Sequence, residues 1–299
     1  MRVFVTGASG WIGSAVVPEL LDAGHKVVGL ARSTRSADAL AAAGAEPHPG
    51  SLDDLDSLRA GAEAADAVIH LGFKHDFSDM AGAWRTERAV VQGFLDVLEG
   101  SDRPFLLASG VAGLTPGRVA TEADEAPMHG PDSPRGGAEN LALSYADRGV
   151  RAVSLRFSPT VHGEGDHGFV AALAGIARAT GVAGYVGDGA SRWPAVHRLD
   201  AARLVALALE GATAGSRVHA VAEEGVPSRA IAEALGRGLG VPAVSIAADA
   251  AAEHFGWIGQ FFALDIPASS AVTRGLLGWA PTHPGLLADL EAGYYTGPA

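Results

Sequence analysis

The sequence predicts an α/β protein: a doubly wound parallel sheet with a smaller, interleaved C-terminal region that binds substrate. Three observations carry this expectation. Short, almost wholly apolar runs alternate with helical patterns through the first 160 residues, a glycine triplet joins the first run to the first helix, and the rhythm breaks afterwards without any linker-like stretch. Apolar runs that lack polar alternation belong to strands covered on both faces. Strands separated by helices long enough for a crossover pair in parallel.

In chain order, the strands are VFVTG (3–7), KVVGLA (26–31), AVIHLG (67–72), PFLLAS (104–109) and RAVSLRF (151–157). Apolar periodicity places helices near 11–23, 53–60, 78–99 and 135–148. Right-handed crossovers between such strands put ligands at their carboxyl ends. Beyond residue 160, HGEGDHGFVAALAGIARATG reads as a loop and a helix, VHRLDAARLVALALE as a strand and a helix returning to the first unit, and RVHAVA as one further strand. The expected division is a dinucleotide-binding domain over 1–160 with a return segment at about 195–212. Residues 161–194 and 213–299 then form the substrate-binding, lid-like region.

Composition narrows the partners. The chain has 299 residues and a formal charge of −12, which argues against nucleic acid or an anionic membrane as a partner. There are no cysteines, so disulfides, thiol nucleophiles and cysteine-ligated metals are excluded. The opening MRVFVTG reads as a strand and not as a leader, and no apolar run reaches the length of a membrane span. A cytoplasmic monomer or homodimer is expected.

The most informative motif is TGASGWIGSAV, residues 6–16. Gly7 allows a tight turn, Gly10 lets backbone approach a diphosphate, and Gly13 permits close helix–strand packing, with Ser9, Trp11 and Ile12 completing the loop. The helix that follows turns its amino end toward the anion. The second strand ends in GLARSTRS, where an acidic residue would favour NAD. Arg32, Ser33 and Arg35 stand there instead and suit a 2′-phosphate, so the expected cofactor is NADPH, with NADH accepted. Ser51 and Leu52 of GSLDD are expected near the adenine. Leu71, Gly72 and Phe73 of HLGFK are expected to floor the cleft.

With TGASGWIG, the LDD step, IHLG, RFSPTVHGEGD (156–166) and VGDGASRWPAVHRLDAARL (186–204), the chain resembles an extended short-chain dehydrogenase/reductase of the NAD-dependent epimerase/dehydratase group. The resemblance implies a Rossmann fold and chemistry resting on a Ser or Thr, a Tyr and a Lys. Here the sequence departs from the pattern. LLASGVAG puts Gly110 in the hydroxyl slot and Ser109 one residue earlier, which leaves Ser109 as the catalytic candidate. Taking Glu139 as the family's glutamate puts Arg135 in the lysine slot and Pro131 in the tyrosine slot, with His129 reached only through a gap. Arg135 would keep a positive charge by the nicotinamide ribose, and Phe157 and Pro159 would flank the nicotinamide.

A dinucleotide site without the usual acid suits a ketoreductase whose substrate provides its own proton through a neighbouring phenol or enol. Within the family this is similar to the angucyclinone ketoreductases, which implies a polycyclic aromatic polyketide ketone and a role in antibiotic biosynthesis. Lys74, His75, Gly110, Phe169 and Trp193 are the expected substrate contacts, with Asp76 beside them and Phe73, Phe77, Met80, Trp84, Trp257, Phe261 and Phe262 as further apolar candidates. His162 and His197 are expected to be structural. HGEGDH lacks the spacing of a helical zinc motif, so no metal is expected. Two alternatives stand beside this reading. One is an NAD-dependent nucleotide-sugar epimerase or dehydratase, using Arg178, Arg192, Arg198 and Arg203 for a diphosphate. The other is a non-catalytic NADPH-binding sensor.

Overall fold

The computed structural model describes residues 1–75, 79–115 and 117–297. The first part repeats strand and helix: β1 (Arg2–Thr6), α1 (Gly13–Asp22), β2 (Lys26–Ala31), α2 (Thr34–Ala42), β3 (Glu46–Pro49), α3 (Leu55–Glu63), β4 (Ala67–His70), α4 (Met80–Leu98), β5 (Pro104–Gly110), α5 (Ala138–Leu143) and β6 (Arg151–Phe157). The chain continues through β7 (Thr160–His162), α6 (Phe169–Thr180), β8 (Ala183–Val186), β9 (Arg192–His197), α7 (Arg198–Gly211) and β10 (Arg217–Ala220). It ends with β11 (Glu223–Pro227), α8 (Ser228–Leu239), β12 (Ala243–Ile246), α9 (Ala251–Phe255), α10 (Gly259–Phe262), α11 (Ala271–Leu277) and α12 (Leu286–Glu291).

A seven-stranded sheet runs in the order β10-β6-β5-β4-β1-β2-β3, and every pair in it is parallel. The strand order reverses between β1 and β4, so the crevice for a ligand opens outside Thr6 and His70. One face is covered by α1 and α7, whose buried residues share a core with Val3, Val5 and Ile69. The other face is covered by α3, α4 and α5, packed on Phe4, Val68 and Phe105. A separate core joins α6, α8 and the C-terminal helices to β9 through Trp193 and Ala195. β11, β9 and β7 form a small sheet, and β12 pairs with β8. Among the described residues, no helix is long and apolar enough to cross a membrane.

Two elements escape the apolar pattern. β3 reads EPHP and lies at the sheet edge, where Pro47 and Pro49 leave no ladder hydrogen bond unmade on a neighbour. α2 buries only Leu40, so it has no apolar stripe, and it is set instead by a capping box between Ser33 and Ser36. A third difference matters for the site. The helix expected over 135–148 begins only at Ala138 and ends at Leu143. Arg135, Gly136 and Gly137 have φ of 54°, 61° and 59°, a left-handed turn. A side chain at Gly136 would strike the carbonyl oxygen of Trp84 at 2.6 Å, so the segment lies against α4 too closely for any other residue.

Candidate dinucleotide and substrate site

The glycine loop between β1 and α1 is shaped by contacts that only hydrogen side chains permit. Gly7 has φ of 66°, and a Cβ there would sit 2.7 Å from the Gly72 nitrogen after β4. A Cβ on Gly13 would lie 2.0 Å from the Gly7 carbonyl oxygen, and one on Gly10 would lie 3.1 Å from it. The Gly10 amide donates to that same oxygen at 2.9 Å. Ile12 caps α1 without a side-chain hydrogen bond; the Ser14 and Ala15 amides donate to the Gly10 and Ile12 carbonyls, which among the described residues leaves the Ile12 and Gly13 amides for an anion, with Ser9 exposed beside them. Trp11 fastens the loop to the second half: its Nε1 donates to the Val161 carbonyl at 2.8 Å. The Arg198 guanidinium lies 4.3 Å from its ring. These residues fit a dinucleotide diphosphate.

At the end of β2, Arg32 and Arg35 are exposed and form no ion pair among the described residues. The Ser33 hydroxyl accepts from the Ser36 amide as the cap of α2. Ser51 Oγ accepts from the Asp53 amide at 3.3 Å, and Leu52 packs on the α3–α4 core. Lys74 pairs with Asp53, so it bridges the two lips of the crevice.

The floor of the crevice holds a chain of polar contacts that sequence reading did not find. Thr6 Oγ1 accepts from the Gly72 amide at 3.1 Å and lies 2.6 Å from His70 Nδ1. His70 Nε2 is 3.3 Å from Glu87 Oε2, and Glu87 is only 2% exposed. Arg135 Nη2 donates to Glu87 Oε1 at 2.8 Å and to the Ala108 carbonyl at 2.9 Å. Its guanidinium lies 4.6 Å from the centre of the Phe73 ring. Burial pushes the Glu87 carboxyl up, but Arg135 and His70 outweigh it and hold the group below the usual carboxylate value. Burial, and then the Arg135 charge, lower the pKa of His75, whose ring meets Phe73 edge-on. The available signal was a glutamate inside the apolar stripe of α4, among Ala83, Val90, Val91 and Phe94.

A second chain lies beside it. Ser109 Oγ donates to Glu139 Oε2 at 2.6 Å, and Arg156 Nε donates to Glu139 Oε1 at 2.8 Å. Wholly buried Arg156 also donates to the Asp124 carbonyl at 2.8 Å and meets His219 Nε2 at 3.3 Å. With its proton engaged by Glu139, Ser109 presents only lone pairs to a ligand. Next to it, a Cβ on Gly110 would find nothing nearer than the Phe157 carbonyl oxygen at 3.8 Å. Ala108, Ser109, Met128, Pro134, Arg135 and Glu139 line a small cavity at this point.

Other expected contacts are placed less directly. Phe157 is buried in the core under α1 and α7, while Pro159 is half-buried, as is Leu71. Phe169 stacks on Phe261 with ring centres 5.3 Å apart and meets exposed Trp257 at 5.6 Å. Trp193 is a correction: it is wholly buried between Phe169, Phe261 and Phe262, in the core that joins α6 and α8 to β9, and has no surface to offer a ligand. Phe262 is equally buried. Met80 and Trp84 are half-buried on α4, whereas Asp76 and Phe77 lie outside the described residues. Pro131 and His129 are exposed, and the Tyr145 hydroxyl accepts from Gln92 at 2.8 Å, away from Ser109. His162 Nδ1 lies 2.6 Å from Asp289 Oδ2, and His197 Nδ1 accepts from the Leu199 amide at 3.2 Å. Among the described residues, no group of three or more His, Cys, Asp or Glu is arranged to hold a metal.

A family model described as the NAD dependent epimerase/dehydratase family matches residues 3–222. An uncharacterized protein of Schizosaccharomyces pombe is 48% identical over 99% of this chain and all of its own length. An uncharacterized protein of Saccharomyces cerevisiae is 46% identical over 98% of this chain and 99% of its own. A 2'-dehydrokanamycin reductase of Streptomyces kanamyceticus is 31% identical over 85% of this chain and 72% of its own. Among solved structures, the dTDP-glucose 4,6-dehydratase DesIV of Streptomyces venezuelae, crystallised with NAD, superposes with a TM-score of 0.76. Its identity is 22%, with 98% of this chain and 96% of that chain covered, a likeness of fold.

Proposed function

This chain belongs to the NAD dependent epimerase/dehydratase family, and from that membership we propose that it is an NADPH-dependent ketoreductase that also accepts NADH. The observation that carries the reading is the lining of the cavity at Ser109. Among the described residues it contains no tyrosine or lysine, and the one carboxylate among them, Glu139, is already held by Ser109 and Arg156. Epimerases and dehydratases of nucleotide sugars first oxidise an alcohol, which needs a base. Reduction of a ketone needs only a hydride, a place for the developing charge and a proton. The reductase relative in Streptomyces kanamyceticus supports that direction.

When bound, the reduced nicotinamide supplies the hydride. The chain's own part is to seat the diphosphate on the Gly7–Gly13 loop, hold a 2′-phosphate with Arg32 and Arg35, and place the carbonyl beside Ser109 and Arg135. Holding the two reactants in a fixed, dry geometry provides much of the rate. The proton comes from the substrate's own hydroxyl, a phenol or enol next to the ketone. General acid catalysis of this kind is worth about 10²–10⁴-fold.

Phe169, Phe261 and Trp257 form an aromatic cluster in the C-terminal region, and that supply of rings favours a flat, polycyclic aromatic ketone of the angucyclinone-like polyketide type. On this reading the protein acts in the cytoplasm, in antibiotic biosynthesis. The four arginines that a sugar diphosphate would need are otherwise engaged. Arg178 holds the Tyr295 carbonyl, Arg192 pairs with Asp265, Arg198 covers Trp11, and Arg203 pairs with Glu19.

The test is NADPH oxidation by purified protein over polycyclic aromatic ketones with and without a hydroxyl beside the carbonyl. Turnover confined to the hydroxylated half is expected. Equal turnover on simple ketones would overturn substrate-assisted protonation. Tight NADPH binding with no turnover would overturn the enzyme reading in favour of a sensor.

A further inference from the structure

We infer that Arg135 is the electrophile of this site: its guanidinium holds the ligand's carbonyl oxygen and stabilises the alkoxide that hydride addition creates, with Glu87 as its positioning residue. The inference rests on the ketoreductase reading and assigns the part that would otherwise fall to a tyrosine hydroxyl.

Donor arithmetic makes Arg135 available. A guanidinium has five N–H donors. Nη2 spends its two on Glu87 Oε1 and the Ala108 carbonyl. The donors on Nε and Nη1 find no acceptor among the described residues, while the side chain is 34% exposed, so a ligand can reach it. Arg135 lines the same cavity as Ser109, at the carboxyl end of β5, and Phe73 after β4 supports its flat face.

The backbone is bent to put it there. A left-handed φ at a residue with a Cβ costs about 1–2 kcal/mol, and Arg135 has φ of 54°. The two glycines that follow continue the turn where neighbouring chain leaves no space for side chains, α4 at Gly136 and the backbone of His129 and Gly130 at Gly137, and Arg88 Nη1 donates to the Gly136 carbonyl at 2.8 Å. Had α5 begun at Arg135, as the apolar pattern suggests, the side chain would lie on a helix surface. Strain of this kind persists where surrounding contacts over-determine it. Here those contacts aim a cation into the crevice.

Glu87 then fixes the aim. Its other oxygen meets His70, which meets Thr6, and Thr6 accepts from the amide of Gly72, the residue against which Gly7 packs. The electrophile and the dinucleotide seat share one line of contacts, so the carbonyl oxygen is held in register with the hydride donor.

The step balances without a proton from Arg135. Hydride adds to the carbonyl carbon, the C=O π pair moves to oxygen, and the alkoxide forms against the Nε and Nη1 N–H groups of Arg135. The neighbouring substrate hydroxyl then gives up its proton to it, and water restores that hydroxyl after release. Arginine stays charged throughout.

The experiment compares wild type, Arg135→Ala, Arg135→Lys and Glu87→Gln in the full chain, with NADPH and a hydroxylated polycyclic ketone. Removing one preorganised donor of this kind costs about 10²–10³ in kcat. Arg135→Ala should therefore lose about that factor, with NADPH affinity changed less than about threefold. Added guanidinium ion should restore part of the rate, and the isotope effect from 4-deuterated NADPH should rise as hydride transfer becomes limiting. Arg135→Lys should recover part of the loss, and Glu87→Gln should lower kcat about tenfold. A weakening of NADPH binding that matches the lost rate would make Arg135 a cofactor ligand and overturn the proposal. So would an unchanged kcat in Arg135→Ala while wild type turns over. Wild type without turnover on any ketone would instead overturn the reading beneath it. Should Arg135→Ala fail to fold, Arg135→Lys decides through its kcat and isotope effect alone.

Discussion

Trp11 and Val161 are joined by an indole-to-carbonyl hydrogen bond of 2.8 Å that ties the glycine loop to β7, 150 residues later. Such a bond contributes a net 0.5–1.5 kcal/mol, roughly, and the Arg198 guanidinium on the same ring adds about 0.5–1 kcal/mol. Trp11→Phe keeps a ring and deletes the donor. NADPH dissociation constants, measured by fluorescence titration, should rise about threefold to tenfold, since 1.4 kcal/mol is about tenfold. An unchanged constant would mean the loop holds its shape unaided.

Glycine positions in the crevice divide by what surrounds them. Gly13→Ala drives a methyl to 2.0 Å from the Gly7 carbonyl oxygen, and Gly7→Ala meets both a left-handed φ and the Gly72 backbone. Both should abolish NADPH binding and lower the melting temperature. Gly110→Ser, with nothing within 3.8 Å of its Cβ, should fold with wild-type stability. Calorimetry of the three variants checks this, and a destabilised Gly110→Ser would show that the end of β5 is tighter than its geometry indicates.

Cofactor preference should reside in Arg32 and Arg35. Each charge-assisted contact to a phosphate is worth about 1.5–3 kcal/mol. Arg32→Glu should therefore weaken NADPH binding by about 10–100-fold and leave NADH nearly unchanged, with Arg35→Glu acting in the same direction. Equal losses for both cofactors would place the 2′-phosphate elsewhere.

Acid should destabilise the protein earlier than carboxylates alone would require. Burial lowers the pKa of His219, as it does those of His197 and His75. A histidine with a folded value below its unfolded value of about 6.5 is bound more weakly by protons when folded. Its contribution is therefore complete above pH 6.5 and is lost as pH falls below that value. Thermal midpoints should decline from about pH 6.5 downward. His219→Gln can still accept from Arg156 and donate to the Ser269 carbonyl, and it should flatten that decline. An identical pH profile in the variant would assign the effect to other groups.

What was legible in the sequence is what neighbouring residues encode together. β1, β2, β4, β5 and β6 announce themselves as apolar runs because both faces of the central sheet are covered. The glycine cradle is readable because its positive φ and close approaches fall within seven consecutive residues. β3 and α2 were silent, since an edge strand of prolines and a helix that buries one leucine need little apolar surface.

Tertiary structure decided the rest. Residue type marks Trp193 as large and apolar but cannot say whether it faces a ligand or a core, and packing against Phe261 and Phe262 puts it in the core. Alignment of motifs locates Arg135, but its partner Glu87 lies 48 residues earlier, and the left-handed turn that joins them follows from the closeness of α4. The apolar pattern carries a helix back to that point, while Gly136 and Gly137 make the left-handed turn cheap for the two residues after Arg135. A buried carboxylate 2% exposed must be paired, and its partner Arg135 reaches it only once the chain has closed and brought the turn against α4.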